Sequence, residues 1–341
     1  MKKKFVLVLA LVLLVAATVS AADIKFSGRV RQGCVFTFDG SSVSVASQRA
    51  KEGKFALKVA DADGLWALSF ADLKDSLDSN DKLPANATVE LSKALAKSGV
   101  DMGDLSLAFS IGNNGADTGL RAYNDVTGNG YDKFKNNGTY SVSMTLGYGK
   151  LVSVKLAGDP VTVKNDATAN AKSFVATALV TPMDGIQVAG GYAYNYKGGL
   201  GEVAAKNAVY GAGTVDIAKI AGLDGFNVKV SAVDHYAVDA KKNWLQANIA
   251  LGIKEVDGWV EFRQFDHVNK LNVQANFNLV ENMGLDVYYD AADFAALADN
   301  WDFGADVSYK LGGVSYSLNA QYTVAAGVKK FALTPAIDIV F

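Results

Sequence analysis

The chain has 341 residues, of which 50% are hydrophobic, and a formal net charge of −2. This hydrophobic content, with 33 glycines and only four prolines, excludes an intrinsically disordered chain. The near-balance of 33 basic and 35 acidic side chains, with no basic face, excludes a nucleic-acid-binding protein. The single cysteine, Cys34, excludes an intramolecular disulfide.

The N-terminus has the three parts of a secretory signal peptide. Lysines at positions 2–4 precede an apolar run over residues 5–19, and residues 20–22 are small, as at a cleavage site. The run is short for a transmembrane helix, and no basic cluster follows it to stop transfer. We therefore predict that residues 1–22 are a signal peptide and that residues 23–341 form the exported protein.

Residues 23–341 contain no stretch of 18 consecutive apolar residues, so any membrane span must be built from strands. Runs with a period of two indicate about 18 antiparallel strands, with 16 as the alternative, and residues 88–97 have helical spacing. The predicted strands start near residues 24, 54, 65, 87, 104, 139, 151, 173, 186, 208, 226, 243, 259, 271, 285, 301, 314 and 331.

Glycine-containing turns connect these runs in pairs. Segments such as AGLDG (221–225), KEVDG (254–258) and ENMG (281–284) are typical of tight hairpin turns, because glycine adopts positive φ without steric cost. Longer polar segments lie between successive hairpins. An even strand number then places the tight turns at one end of the fold, with both termini, and the longer loops at the other.

The two faces of each predicted strand differ sharply in polarity. Over residues 301–310, aromatic and aliphatic residues alternate with Asp302, Gly304, Asp306, Ser308 and Lys310. Such polar faces suit a water-filled lumen rather than a packed core, and the apolar faces suit lipid. Aromatic residues fall at both strand ends, where they suit the two membrane interfaces: Tyr192, Tyr194, Tyr196, Trp301 and Tyr322 at one end, and Tyr148, Phe226, Tyr309 and Phe341 at the other.

The last eleven residues, FALTPAIDIVF, form an alternating strand that ends on an aromatic residue. This pattern resembles the C-terminal assembly signal of bacterial outer-membrane proteins, with Ile337, Ile339 and Phe341 on its apolar face. The resemblance implies an outer-membrane location and contact with outer-membrane lipid.

The longest polar segment, residues 112–138, lies between the fifth and sixth predicted strands. Together with the terminal strand, this loop order resembles that of general bacterial porins. The resemblance implies that the loop folds into the barrel and narrows it, with Arg121 among its charges, and that the chain forms a homotrimer. A solvated surface loop is the alternative.

Charges predicted to face the lumen are segregated. Lys25, Arg29 and Arg31 on the first strand and Lys58 on the next form a basic stripe; Asp286, Asp302, Asp306 and Asp338 on late strands form an acidic one. Closure of the barrel would set Asp338 beside the first strand. We expect either a transverse field that biases ion passage or ordinary salt bridges inside the lumen.

The two histidines both occur in Asp-His pairs, at residues 234–235 and 266–267, and strand parity points both imidazoles inward. A metal site or a barrel hydrolase is conceivable from these pairs, but two unrelated histidines are the simpler interpretation. No phosphate-binding loop or hydrolase motif is present in the sequence. We therefore predict no enzyme activity, no metal and no cofactor.

These features predict an all-β protein, a transmembrane antiparallel β-barrel of about 16–18 strands. The resemblance implies a porin, a passive pore for ions and small hydrophilic solutes. Two alternatives remain open: a surface adhesive barrel without an open pore, with residues 41–53 and the Asn/Gly-rich loops as binding surfaces, and a secreted β-sandwich, because residues 34–59 resemble the start of a carbohydrate-binding module.

Overall fold

The computed structural model describes residues 22–40, 42–48, 54–70, 85–114, 140–159, 173–194, 207–265 and 268–340. These residues form β-strands and, among them, two short helices, α1 (Leu91–Lys97) and α2 (Ile217–Ala221), and one 3-10 turn, Phe294–Ala296. The strands are β1 (Ala22–Asp39), β2 (Ser42–Gln48), β3 (Lys54–Asp61), β4 (Trp66–Phe70), β5 (Ala85–Glu90), β6 (Leu105–Asn114), β7 (Tyr140–Tyr148), β8 (Val152–Asp159), β9 (Ser173–Met183), β10 (Ile186–Tyr194), β11 (Asn207–Asp216), β12 (Phe226–Ala237), β13 (Lys242–Ile253), β14 (Val256–Phe265), β15 (Val268–Val280), β16 (Met283–Ala291), β17 (Asn300–Leu311), β18 (Val314–Ala325) and β19 (Val328–Val340).

The strands close into a single antiparallel barrel. From β3 to β19 each strand pairs with the next, and β19 pairs back with β1. β1 is long enough to pair with β2 along its second half and with β3 along its first half. β2 and β3 therefore share one position in the wall, and the barrel has 18 strands. This confirms the predicted all-β barrel and the larger of the two predicted strand numbers.

Two local predictions need refinement. Residues 42–48, where no strand was predicted, form β2 and pair with the end of β1. The helical spacing at 88–97 corresponds to a helix that begins at Leu91, because Thr88 and Val89 belong to the predicted strand near residue 87 and pair with Ser110 and Phe109 of β6.

The two ends of the barrel also differ less than predicted. The end that holds the first residue of β1 and the last residue of β19, called here the short-turn end, has the tight turns expected from the sequence. At the opposite end, however, Ala326 and Gly327 form an equally tight turn between β18 and β19, with φ values of 48° and 78°. Short connections thus occur at both ends of the late strands.

Over most strands, the outer face of the barrel is apolar and exposed. Val188, Leu251 and Phe303, from three well-separated strands, have exposed fractions of 51%, 55% and 49%. Aromatic side chains cluster on this face at the end opposite the short turns: Phe174 stacks on Tyr194 with ring centroids 5.6 Å apart, and Trp301 lies 5.6 Å from Tyr322. This belt includes the predicted aromatic residues at this end, except Tyr196, which lies outside the described residues.

The inner face has two kinds of surface. Across β8–β13 it holds a packed cluster of small, apolar and aromatic side chains, together with buried polar ones such as Thr177, Ser231 and His235. Across β15–β18 the inward side chains are polar and half-buried, mostly Asp, Asn and Gln. The packed cluster consists of Ala157, Val175, Ala189, Ala193, Ala208, Tyr210, Val233, Ala237 and Trp244.

The two helices lie at the short-turn end and are tied to neighbouring turns by ion pairs. Lys97 of α1 donates to Asp63 in the β3–β4 turn, and the Lys219 ammonium of α2 lies 2.6 Å from Asp184 in the β9–β10 turn. The hydrogen bond from Lys97 lowers the pKa of the Asp63 carboxyl, and the bond to Asp184 raises the pKa of Lys219. Neither helix, nor any other helix in the described ranges, is long and apolar enough to cross a membrane.

Candidate functional site in the barrel lumen

The predicted basic stripe is assembled by the pairing of β1 with β3. Lys25 lies directly opposite Lys58, and Arg29 and Arg31 follow on the same face of β1. The Lys25 ammonium lies 3.9 Å from Asp23 at the short-turn end, and both side chains are well exposed. The stripe therefore runs from this mouth of the barrel toward its middle.

Closure of the barrel brings Asp338 to this stripe. Arg31 lies directly opposite Asp338 in the β1–β19 pairing, and Arg29 Nε donates to both Asp338 carboxylate oxygens, at 2.9 and 2.7 Å. The Asp338 side chain is only 16% exposed. Asp338 is thus compensated by the basic stripe and does not act as part of a separate acidic stripe.

The other three predicted acidic residues lie together on β16 and β17. Asp286 lies directly opposite Asp306, and Asp302 lies opposite Asp290, a residue that the sequence analysis did not single out. We call these four residues the acidic wall. Like charges directly opposite each other on antiparallel strands destabilise the pairing of those strands. The energy of strand pairing therefore does not explain why these four aspartates lie together.

A tyrosine separates the two carboxylate pairs of the acidic wall. Tyr288 lies opposite Gly304, and its ring covers this glycine so closely that a Cβ atom there would lie 2.6 Å from Tyr288 Cε1. The glycine therefore lets the ring lie flat on the wall instead of projecting into the lumen.

Buried polar residues that the sequence analysis missed extend the polar surface onto β13 and β14. Glu261 is fully buried and contacts the Arg263 guanidinium on the same strand. Asn248 and Asn272 lie opposite Glu261 on the two neighbouring strands. The signal was present: in the WVEFR segment, the same alternation that we used elsewhere puts Glu261 and Arg263 on the inner face.

The histidine that the structure describes is buried in the wall. His235 faces inward, as parity predicted, is 1% exposed, and stacks on Tyr210 with ring centroids 5.2 Å apart. Its neighbour Asp234 is exposed on the outer face, so this Asp-His pair cannot act as one unit. The second pair, at 266–267, lies outside the described residues. Within the described ranges, no group of three or more His, Cys, Asp or Glu side chains could hold a metal.

Other predicted site residues divide into two groups. Ile337 and Ile339 face outward and are 46% and 42% exposed, as an apolar terminal strand requires. Residues 112–114 belong to β6. The rest of the predicted constricting loop, including Arg121, and the C-terminal Phe341 lie outside the described residues.

No protein-family model and no curated protein matches the chain. Among solved structures, OpdL of Pseudomonas aeruginosa superposes with a TM-score of 0.55 and 10% sequence identity, covering 94% of this chain and 99% of that chain. A mutant porin of Rh. blastica superposes with a TM-score of 0.49 and 10% identity, over 94% of this chain and 100% of that chain. The likeness to OpdL is a likeness of fold: this chain is a closed antiparallel barrel of the same architecture.

Proposed function

We propose that the chain is an outer-membrane porin, a passive pore for ions and small hydrophilic solutes. This proposal rests on the difference in polarity between the two faces of the closed barrel wall. Apolar side chains are exposed on the outer face, and carboxylates, cations and amides lie on the inner face. An exposed apolar band of this extent is stable in lipid, and a closed barrel satisfies all its backbone hydrogen bonds without water.

The polar side of the lumen would carry the solutes. It runs from the basic stripe through Asp338 and the late strands to the acidic wall, whereas many of the polar side chains on β8–β13 are buried. Water and ions would follow the polar side, where charges replace part of their hydration. The residues proposed to set selectivity are Lys25, Arg29, Arg31, Lys58, Arg121, Asp286, Asp302, Asp306 and Asp338.

The basic stripe and the acidic wall lie on one side of the lumen, because β1, β19, β18, β17 and β16 are consecutive strands of the barrel. Arg29 contacts Asp338 and Arg31 acts on Asp306, so this arrangement favours charge compensation inside the lumen over a field across the pore. We infer that residues 23–341 act as a homotrimer in the outer membrane after removal of residues 1–22, and that the protein is not an enzyme. The separation of Asp234 from His235 onto opposite faces supports the last point.

Single-channel conductance of residues 23–341, refolded and inserted into a planar bilayer, tests the proposal. We expect regular current steps that scale with salt concentration, grouped in threes for a trimer. Insertion without conductance would contradict the pore and favour an adhesive barrel. Reversal of Arg29 and Arg31 to Glu should shift the reversal potential toward cations; an unchanged potential would remove the proposed role of these charges in selectivity.

A further inference from the structure

Two opposite charges lie side by side on the inner face of β15 and β16 without forming an ion pair. Lys270 and Asn272 are successive inward residues of β15, and Asn272 lies directly opposite Asp290, so Lys270 and Asp290 are diagonal neighbours. Diagonal neighbours on antiparallel strands are about 7–8 Å apart. Within the described ranges, no carboxylate lies within 4.0 Å of the Lys270 ammonium, and its charge acts on Asp290 from a longer distance.

This pair lies near the end of the barrel opposite the short turns. Lys270 is close to the start of β15, Asp290 is close to the end of β16, and Asp302, directly opposite Asp290, is close to the start of β17. All three side chains are on the inner face and are partly exposed. A solute that enters the lumen from this end can therefore contact them.

Asp290 is positioned by a buried neighbour rather than by the lysine. The Asn272 side chain hydrogen-bonds to the Asp290 carboxylate, and Trp259 Nε1 donates to Asn272 Oδ1 at 3.2 Å. Asn272 and Trp259 are 4% and 8% exposed, so both are fixed by the surrounding wall. The carboxylate is thus held in place before any solute arrives, which lowers the entropic cost of binding.

The neighbouring charges disfavour simple ions of either sign. An inorganic anion at Lys270 is attracted by the ammonium but repelled by Asp290 and Asp302. An inorganic cation at Asp290 is attracted by the two carboxylates but repelled by Lys270 and by Arg263, which lies directly opposite Lys270. A solute that carries both charges is attracted at both ends, so the charge pattern favours a zwitterion.

We propose that Lys270 and Asp290 form a binding site for small zwitterionic solutes, the class to which free α-amino acids belong. The Lys270 ammonium donates to the carboxylate of the solute, and the ammonium group of the solute donates to Asp290, with Asp302 adding to the attraction. The solute thus bridges two charges that the protein keeps apart. This inference rests on the proposed porin for its role in solute passage, and it names a solute class for that pore.

Saturation-transfer NMR on the refolded barrel in deuterated detergent at neutral pH tests the binding, with L-alanine, propionate and ethylamine as probes. Propionate lacks the ammonium group of alanine, ethylamine lacks its carboxylate, and each probe has a methyl group to observe. We expect saturable binding of alanine, and affinities about tenfold or more lower for the other two, because each loses one charge-assisted contact. No saturable transfer to alanine, or equal affinity for a singly charged probe, would overturn the proposal.

Substitutions at the two charged residues locate the site. Lys270→Met and Asp290→Asn should each lower the affinity for alanine about tenfold, whereas Lys270→Arg, which keeps the charge, should retain most of it. Lys310→Met and Asp286→Asn remove the same two kinds of charge from the inner face near the short-turn end, and these matched controls should bind alanine as the unaltered protein does. Equal affinities for Lys270→Met and its control would refute the site.

Conductance measured on the same preparations separates this inference from the proposed function. Alanine binding without conductance would support the site and contradict the porin. Conductance without saturable alanine binding would support the porin and contradict the site. Heat-modifiable gel migration establishes that each variant is folded before either measurement.

Discussion

The β1–β19 seam and the acidic wall are built from the same antiparallel geometry but contain opposite pairings of charge. At the seam, Arg31 lies opposite Asp338, and Arg29 also holds that carboxylate. In the acidic wall, Asp286 lies opposite Asp306 and Asp290 opposite Asp302. Both regions line the lumen.

The difference indicates that the two regions serve different purposes. An opposed arginine and aspartate stabilise the pair that closes the barrel, whereas opposed carboxylates repel each other by a few tenths to about 1 kcal/mol per pair. A wall of aspartates therefore lowers stability. We attribute its presence to its effect on solutes in the lumen, which is the property that the proposed pore requires.

The largest effect that we expect is on ion selectivity. Replacing Asp286, Asp290, Asp302 and Asp306 together by Asn should lower the cation-to-anion permeability ratio at least about threefold, because the fixed negative potential of the wall disappears. The reversal potential in a salt gradient measures this ratio. The same variant should be at least as stable as the unaltered barrel, since the repulsion is gone.

Asp224→Asn, in the exposed turn after α2, is the control for this experiment and should leave the ratio unchanged. If the variant with all four Asp→Asn substitutions also leaves the permeability ratio unchanged, the acidic wall does not act on passing ions. Its difference from the β1–β19 seam would then have no effect on function.

The seam should respond in the opposite sense. Asp338→Asn removes a charge-assisted contact that is only partly exposed, and we expect a loss of about 1 kcal/mol in the free energy of unfolding, after allowance for screening at the exposed Arg29. Urea titration followed by heat-modifiable migration measures it. Asp306→Asn is the matched comparison and should not destabilise. Equal losses for both variants would show that the two regions do not differ.

A third expected effect concerns the space within the acidic wall. Gly304→Ala places a methyl group where the Tyr288 ring lies, so the ring must move off the wall toward the lumen. We expect a lower single-channel conductance, restored when Tyr288 is also replaced by Ala. Gly211→Ala, where the added Cβ has no atom within 4 Å, should conduct normally. A normal conductance for Gly304→Ala would mean that the ring finds room elsewhere.

The smallest expected effect is the pH response of the Lys97–Asp63 ion pair, which lies outside the lumen. The hydrogen bond from Lys97 lowers the pKa of Asp63, so its contribution to stability is present above the ordinary carboxyl range and is lost as pH falls through the lowered pKa. The thermal midpoints of the unaltered protein and Lys97→Met should therefore differ at neutral pH and converge in strong acid. A difference that persists in strong acid would exclude this pair as its source.

The strands could be predicted because their signals are local. Alternation indicates which side chains face outward, and glycine turns indicate where a strand reverses, so predicted and observed starts agree within a few residues over most of the wall. β2 was missed, although Asp39 and Gly40 form a turn before Val43 and Val45. Because β2 shares its position in the wall with β3, an 18-strand barrel could be counted without it.

Less of the candidate site was accessible from the sequence. The alternation of inward and outward side chains along a strand places Asp286, Asp302 and Asp306 in the lumen. The same alternation would also have identified Asp290, Glu261 and Arg263 as inward-facing residues. Burial was not accessible. Whether Ala193 or Gln246 is buried depends on Tyr210, Trp244 and other side chains from several strands. The sequence around each residue does not indicate these contacts between strands.

β1 contacts three strands, and one of them contains the last described residues of the chain. The hydrogen bond between Arg29 and Asp338 joins positions 309 residues apart. One edge of the first strand must therefore remain without its partner until β19 has been made. An intermediate with this edge open would expose backbone donors and acceptors to pairing with other chains. The order of synthesis thus makes this edge of β1 one that stays open until the strand farthest from it in the chain is available.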